Sequence, residues 1–203
     1  MIDKYKLKSI LSNSFNSARK YTNVDYFKDS NALKSAKFVS IFAQSLFNAF
    51  YPNLDYKLNV IKVDDEGNKY SGEWLLDITI TEDTNGFKKN IILGVESESN
   101  TSEKAFNDDF AKLIHTKAKN YIYLNGLNQK TPKGKQNYIR KRLLYAKSFL
   151  NSEEYPSFFF GFWTSPQKNN ESDSIWSAIN NGKLIHLKET QLYEYNKGDF
   201  YRV

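Results

Sequence analysis

The sequence predicts a mixed α/β (α+β) fold, in which a mixed β-sheet is flanked by helices in the order α-β-β-β-α-β with C-terminal additions. Three observations predict it. Apolar residues first recur at helical spacing, then alternate with period two through three short segments, and afterwards helix-like and strand-like segments follow in turn. The 203 residues fit one domain, and no Pro/Gly/Ser-rich linker divides them. We therefore expect a single domain over 1–203, with a core at about 30–126 and a basic helix and further strands over 127–203.

The first half begins with a helix and continues with three strands. Apolar residues at helical spacing extend from Phe38 to Phe50, and Pro52 ends the pattern. Alternation then predicts strands over 56–63, 73–80 and 90–98. Turn signals separate these strands, namely Asp-Glu-Gly-Asn at 65–68 and Asn85-Gly86.

The second half alternates helices and strands. Ser102 is expected to cap a helix whose mostly apolar face runs from Phe106 to Lys117. The later elements are a strand over 119–126, a helix over about 135–150, a strand over 157–164, a short helix near 175–183 and a closing strand or hairpin over 184–195. The aromatic-rich strand 157–164 is expected to be a central or interface strand that buries both faces, and a dimer surface is the alternative.

The excess of positive over negative charge is confined to one segment. The net charge is +6, yet no acidic residue lies between Asp109 and Glu153, where ten of the 29 basic residues fall. The rest of the chain carries 19 basic and 23 acidic residues. Lys and Arg contacts to phosphates release counterions, so the segment suits a polyanion. A solvated face in a Lys- and Asn-rich proteome explains the charge equally well.

Composition excludes several classes of protein. Without cysteine there is no disulfide framework, no zinc–thiolate site and no cysteine nucleophile. No apolar run is long enough for a membrane span, so no membrane partner is expected. The start of the chain lacks the apolar block of a secretory signal, and a cytoplasmic location is therefore expected.

Three acidic residues stand out on the second and third strands. Glu96 and Glu98 are two apart and point to one face, and Asp77 lies within the apolar run of the preceding strand. Because burying like charges is costly, a divalent cation such as Mg²⁺ would resolve the conflict. The alternative is a solvated strand face, with Asp77 bonded to a nearby loop.

These residues resemble the motif of the PD-(D/E)XK nucleases, a restriction-endonuclease-like superfamily with an Asp on the second strand and (Asp/Glu)-x-Lys on the third. The resemblance covers about residues 30–126. Leu76 stands where the motif has Pro, and Glu98 stands where it has Lys. A lysine supplied by the next helix, Lys104 or Lys112, would restore the missing cation. The alternative is that catalysis has been lost.

The resemblance implies metal-assisted phosphodiester hydrolysis. Asp77 and Glu96 would hold Mg²⁺ (or Mn²⁺), with the Ser97 carbonyl as a further ligand. Glu98 would bind a second ion or act as general base, and Lys112 would stabilise charge on the phosphate. Two outer candidates complete the set: Glu73 and Gln44.

The basic helix supplies the nucleic-acid contacts in this interpretation. Its candidate residues, expected largely opposite the apolar stripe or just before the helix, are Lys133, Lys135, Arg140, Lys141, Arg142 and Lys147. Together with the resemblance, the sequence predicts an endonuclease-like protein acting on DNA, and the resemblance implies a role in restriction or phage defence. One alternative is an inactive nuclease fold that binds nucleic acid or protein, and another is a structural or inhibitory protein of a mobile element. A homodimer is left open.

Overall fold

A computed structural model of the chain describes residues 2–21, 30–63, 69–70, 75–84, 87–151, 153–167 and 174–203. Within these ranges the helical elements are five α-helices and one 3₁₀ turn. They are α1 (Lys4–Tyr21), α2 (Asn31–Phe50), α3 (Glu103–His115), α4 (Pro132–Lys147), α5 (Ile175–Asn180) and the 3₁₀ turn Ile185–Leu187. None of the helices in the described part of the chain has the length and apolar character needed to cross a membrane.

The strands form one large sheet and a small two-stranded one. They are β1 (Tyr56–Val60), β2 (Lys62–Val63), β3 (Lys69–Tyr70), β4 (Ile78–Thr84), β5 (Phe87–Glu98), β6 (Ala118–Leu127), β7 (Phe158–Thr164), β8 (Gln191–Asn196) and β9 (Asp199–Arg202). The large sheet has the order β1-β4-β5-β6-β7-β8-β9, and β2 pairs with β3. The three central strands β5, β6 and β7 are parallel, and the outer pairs are antiparallel.

Helices cover both faces of this sheet. Apolar residues of α1 and α2 pack with one face of the central strands, where Phe38 stacks on Trp163 at a ring-centroid distance of 4.2 Å. Those of α3 and α4 pack with the opposite face, around Phe106 and Phe160. Every residue of β7 is buried, which confirms the prediction of a strand with two covered faces. The predicted fold class, a mixed sheet flanked by helices, is confirmed.

Most predicted elements appear, with shifted ends. Ser102 caps α3 as expected, since its Oγ accepts from the Ala105 N–H at 3.2 Å. The second predicted strand begins later than expected, at Ile78, because Leu75 adopts a left-handed backbone (φ 68°) that a continuous strand does not allow. Residues 71–74, the turn at 65–68 and Asn85-Gly86 lie outside the described residues.

Two other boundaries differ from the sequence prediction. The first predicted strand is divided after Val60, and its second piece, β2, joins β3 instead of the main sheet. The closing segment forms a 3₁₀ turn and then the hairpin β8–β9. Lys197 (φ 51°) and Gly198 (φ 79°) connect the two strands. Two successive positive φ values are typical of a type I′ turn, whose twist matches that of a hairpin.

Candidate active site

Asp77 and Glu96 lie side by side at the end of the β4–β5 pair. The register places Ile78 opposite Val95, so Asp77, one residue earlier, is level with Glu96, one residue later. The Ser97 N–H donates to Asp77 Oδ2 at 2.8 Å and fixes that carboxylate against β5. The two carboxyl groups are in hydrogen-bonding contact. The structure therefore brings together the first two residues of the predicted motif.

The surroundings of this pair oppose the presence of two charges. Glu96 is only 1% exposed. Burial, followed by repulsion from Asp77, raises the pKa of Glu96 to about 9. Burial also raises the pKa of Asp77, although the Ser97 N–H works in the opposite direction. The pair therefore holds a proton near neutral pH or needs a cation beside it.

Lys112 supplies one such cation from α3. Its Nζ lies 2.6 Å from Glu96 Oε1, and its side chain remains 45% exposed. Burial alone would lower the pKa of Lys112, but the hydrogen bond and the charge of Glu96 oppose this, and the pKa of Lys112 is raised. Lys104, the other lysine considered from the sequence, is exposed at the start of α3 and makes no ion pair among the described residues. Of the two predicted lysines, the structure brings Lys112 to the carboxylates.

Glu98 pairs with an acidic residue that the sequence analysis missed. Its carboxyl group is in hydrogen-bonding contact with Asp109 of α3. Burial, and then the Asp109 carboxylate, raises the pKa of Glu98 to about 7, although the Asn100 N–H opposes the shift. Asp109 precedes Lys112 by three residues, the spacing that places two side chains on one face of a helix, and this was the available signal.

The loop between β5 and α3 is fixed by Arg142 of α4. The Arg142 guanidinium donates to the Thr101 and Ser102 carbonyls at 2.9 and 3.0 Å. It also lies over the Phe106 ring, 4.3 Å from its centroid. Since this loop carries Glu98 at one end and begins α3 at the other, Arg142 positions both sides of the site.

A hydrogen-bonded pair forms the side of the site next to β6. Asn125 is fully buried opposite Glu98 in the parallel register. Its Nδ2 donates to the Glu98 carbonyl at 3.4 Å, and its Oδ1 accepts from the Tyr138 hydroxyl at 2.9 Å. The sequence analysis did not single out Asn125, because a polar residue within an apolar strand gives no indication of its partner.

Two residues of the predicted basic surface are buried instead. The expectation that Arg142 lies opposite the apolar stripe is wrong, since it is 9% exposed and occupied by the contacts described above. Lys135 is 5% exposed, and its Nζ donates to the His186 and Glu189 carbonyls. The physical reason is periodicity, because both residues fall on the buried side of α4 together with Ile139.

The remaining predicted basic residues are at the surface. Lys133, Arg140 and Lys141 are exposed, and Lys147 is partly exposed in an ion pair with Asp199 at 3.2 Å. The outer candidates do not join the site. Gln44 is exposed on α2 and bonds to Asn48, whereas Glu73 lies outside the described residues.

The carboxylates form two pairs and not one three-membered cluster. Within the ranges that the structure describes, no three His, Cys, Asp or Glu side chains are grouped to hold a metal ion on their own. Asp77 and Glu96 still fit Mg²⁺, which commonly takes one or two carboxylates and completes its shell with water and phosphate oxygens. The contact between the buried Glu96 carboxyl group and the half-buried Asp77 carboxyl group is the observation that favours a cation there.

Comparison with known proteins identified no relative of this chain. No family model, no curated protein and no solved structure matches the chain. Membership of the PD-(D/E)XK superfamily therefore stays a prediction, carried by the motif residues Asp77 and Glu96.

Proposed function

We propose that the chain is a metal-dependent phosphodiester hydrolase of the endonuclease type, acting on DNA, with Asp77, Glu96 and Lys112 at its centre. The observation that carries the proposal is the 2.6 Å contact between Lys112 Nζ and Glu96 Oε1. The motif that the chain resembles has its lysine at the position of Glu98. Lys112 brings an ammonium group to the same carboxylates from the following helix.

The donor set supports Mg²⁺ or Mn²⁺ as cofactor. Asp77 and Glu96 would hold the ion, and a cation between them would offset the repulsion that opposes their joint ionisation. The Ser97 carbonyl as a further ligand stays a prediction. When bound, the ion would polarise the phosphate and lower the pKa of a coordinated water.

The chain's own side chains would supply the remaining chemistry. Lys112 is half exposed, so its ammonium group can face a phosphate oxygen as well as Glu96 and stabilise the charge that develops there. Glu98, with a pKa of about 7, can accept a proton from the attacking water near neutral pH. Asp109 would hold the Glu98 carboxyl group in place through their contact.

The exposed basic residues Lys133, Arg140 and Lys141 support a polyanionic substrate. The choice of DNA, the cytoplasmic location and a role in restriction or phage defence follow from the resemblance and composition, and they belong to the proposal.

The test is cleavage of supercoiled plasmid and of single-stranded DNA with Mg²⁺ or Mn²⁺. Asp77→Asn, Glu96→Gln and Lys112→Met should each lower the rate by about 10²–10³, the usual cost of removing one group that stabilises the transition state. Lys104→Met is the matched control, because it makes the same change at an exposed position of the same helix. It should cleave at the wild-type rate.

The outcomes separate the proposal from its main alternative. Cleavage that persists in all three site variants would refute the assigned site. Binding without cleavage, weakening steeply with salt, would instead support an inactive nuclease fold that binds nucleic acid. That alternative is favoured by one observation, the carboxylate of Glu98 at the position of the motif lysine.

A further inference from the structure

A second candidate site lies on the other side of α4, between this helix and the hairpin β8–β9. It is a cleft of about 330 Å³. Its helix wall includes Arg140, Leu144 and Lys147, and its sheet wall includes Tyr193, Phe200 and Arg202. Small-molecule sites occupy about 300–1,000 Å³, so the cleft suits one small ligand unit.

The periodicity of the two walls explains why these residues meet. Positions 140, 144 and 147 are four and three residues apart and therefore share one face of α4. Positions 200 and 202 alternate on one face of β9, and Arg202 lies opposite Tyr193 in the hairpin register. Arg142 points the other way, towards the loop before α3. The cleft is thus separate from the carboxylate site.

The charges of the cleft favour an anion. Arg140, Lys147 and Arg202 contribute three positive charges, and Asp199 contributes the one carboxylate in the lining. That carboxylate is held by Lys147 at 3.2 Å. Neither arginine makes an ion pair with any residue that the structure describes. Arginine matches the geometry of a phosphate group, to which it can donate two parallel hydrogen bonds.

The apolar lining favours a flat aromatic group beside that anion. The Phe200 ring is partly exposed and is held edge-on by Phe160, with a centroid distance of 6.0 Å and an interplanar angle of 85°. The Tyr193 hydroxyl donates to Gln191 Oε1 at 2.8 Å, which fixes the second ring. Leu144 is 59% exposed at the edge of the cleft and leaves apolar surface for a ligand to cover.

We propose that this cleft binds a nucleotide, with the phosphate at Arg140 and Arg202 and the base against Phe200, Tyr193 and Leu144. The ligand is either a free nucleotide or one unit of a nucleic-acid strand, since both present the same phosphate and base. A second copy of the chain fits less well, because two positively charged clefts would repel each other. The inference does not rest on the proposed nuclease activity.

The test is calorimetric titration of the full chain with AMP in the presence of EDTA, so that metal-dependent cleavage plays no part. AMP should bind more tightly than inorganic phosphate or adenosine, because each of these lacks one half of the ligand. The double variant Arg140→Gln/Arg202→Gln should lose about 10-fold or more in AMP affinity. The matched control Lys117→Gln/Lys119→Gln removes the same charge at exposed positions outside the cleft and should lose less than about 2-fold. Circular dichroism melts verify that both variants are folded.

Three results would overturn the inference. They are the absence of AMP binding at about 10 mM, equal affinities for AMP and inorganic phosphate, and equal losses in the two double variants. A short oligothymidylate then identifies the source of the nucleotide in the wild-type protein. Tighter binding than AMP, with competition between the two, assigns the cleft to a strand, whereas AMP binding without such competition assigns it to a free nucleotide.

Discussion

Replacing Lys112 by Met removes the cation beside Glu96 and keeps a side chain of similar length. Breaking a fully buried ion pair by removing one partner costs about 3–5 kcal/mol, whereas an exposed pair contributes about 0–1 kcal/mol. Glu96 is 1% exposed and Lys112 is 45% exposed, so this pair lies between the two limits. Because the pKa of Glu96 is about 9, we expect Lys112→Met to lower the free energy of unfolding by about 1–2 kcal/mol near pH 9, where the carboxylate is substantially ionised, and by less near neutral pH.

A double-mutant cycle isolates this contribution. In a Glu96→Gln background the neutral amide no longer needs a cation, so Lys112→Met should cost little there. The coupling energy between the two positions should therefore be about 1–2 kcal/mol near pH 9. Because burial raises the pKa of Glu96 to about 9, the carboxylate fraction increases with pH, and the coupling should be larger near pH 9 than near neutral pH.

Urea unfolding followed by circular dichroism, with EDTA present, measures each free energy. Lys104→Met serves as the control at an exposed position of α3, and it should change the stability by less than about 0.5 kcal/mol. The reasoning is refuted if Lys112→Met behaves like Lys104→Met. It is refuted equally if the cost of Lys112→Met is the same whether residue 96 is Glu or Gln.

Three further predictions concern stability, each measured by urea unfolding. Arg142→Met removes two charge-assisted hydrogen bonds to the loop before α3 and should lower the free energy of unfolding by about 2–4 kcal/mol. The control Arg140→Met should change it little, and equal effects of the two substitutions would contradict the positioning role of Arg142. Gly126→Ala should lower the free energy of unfolding by about 1–3 kcal/mol, because the new Cβ would lie 2.7 Å from the main-chain carbonyl oxygen of Ser99, which cannot rotate away. An unchanged urea midpoint would contradict this, because it would show that the backbone at the end of β6 shifts without loss of stability. In EDTA, wild type should lose stability relative to Glu96→Gln as pH rises from about 4.5 to about 9, because an acid whose pKa is raised on folding favours the folded state only while it is protonated. The difference in unfolding free energy between wild type and Glu96→Gln should change by at most about 1.4 kcal/mol per pH unit. Parallel pH profiles of the two proteins would contradict this prediction.

The sequence was sufficient for those parts of the fold that depend on local periodicity. The alternation in β5 placed Glu96 and Glu98 on one face, and the apolar spacing after Ser102 placed α3 directly behind them. The class of fold followed from the order of such segments. The late start of β4 was not predictable in this way, because the left-handed conformation of Leu75 has no signal in a leucine side chain.

The partners of the site residues depend on tertiary contacts, and the sequence predicted them less well. Glu98 was grouped with Asp77 and Glu96 because alternation ignores the facing helix, whereas the structure pairs it with Asp109. Arg142 was assigned to the surface by its charge, although its position on α4 places it on the buried side. A buried arginine becomes predictable only when the carbonyl groups that receive its hydrogen bonds are known.

The hairpin β8–β9 has a kinetic consequence. Its two strands are joined by the two-residue turn at Lys197 and Gly198, so their pairing has a very short sequence separation, whereas the parallel pairs β5–β6 and β6–β7 each span a helix or a long connection. Local pairs of this kind at the edge of a sheet open with less free energy than the central strands. Amide hydrogen exchange should therefore be faster in β9 than in β6. Each opening of the hairpin would also move Phe200 and Arg202 away from α4, so the same local opening that exchanges the amides of β9 would take apart one wall of the cleft.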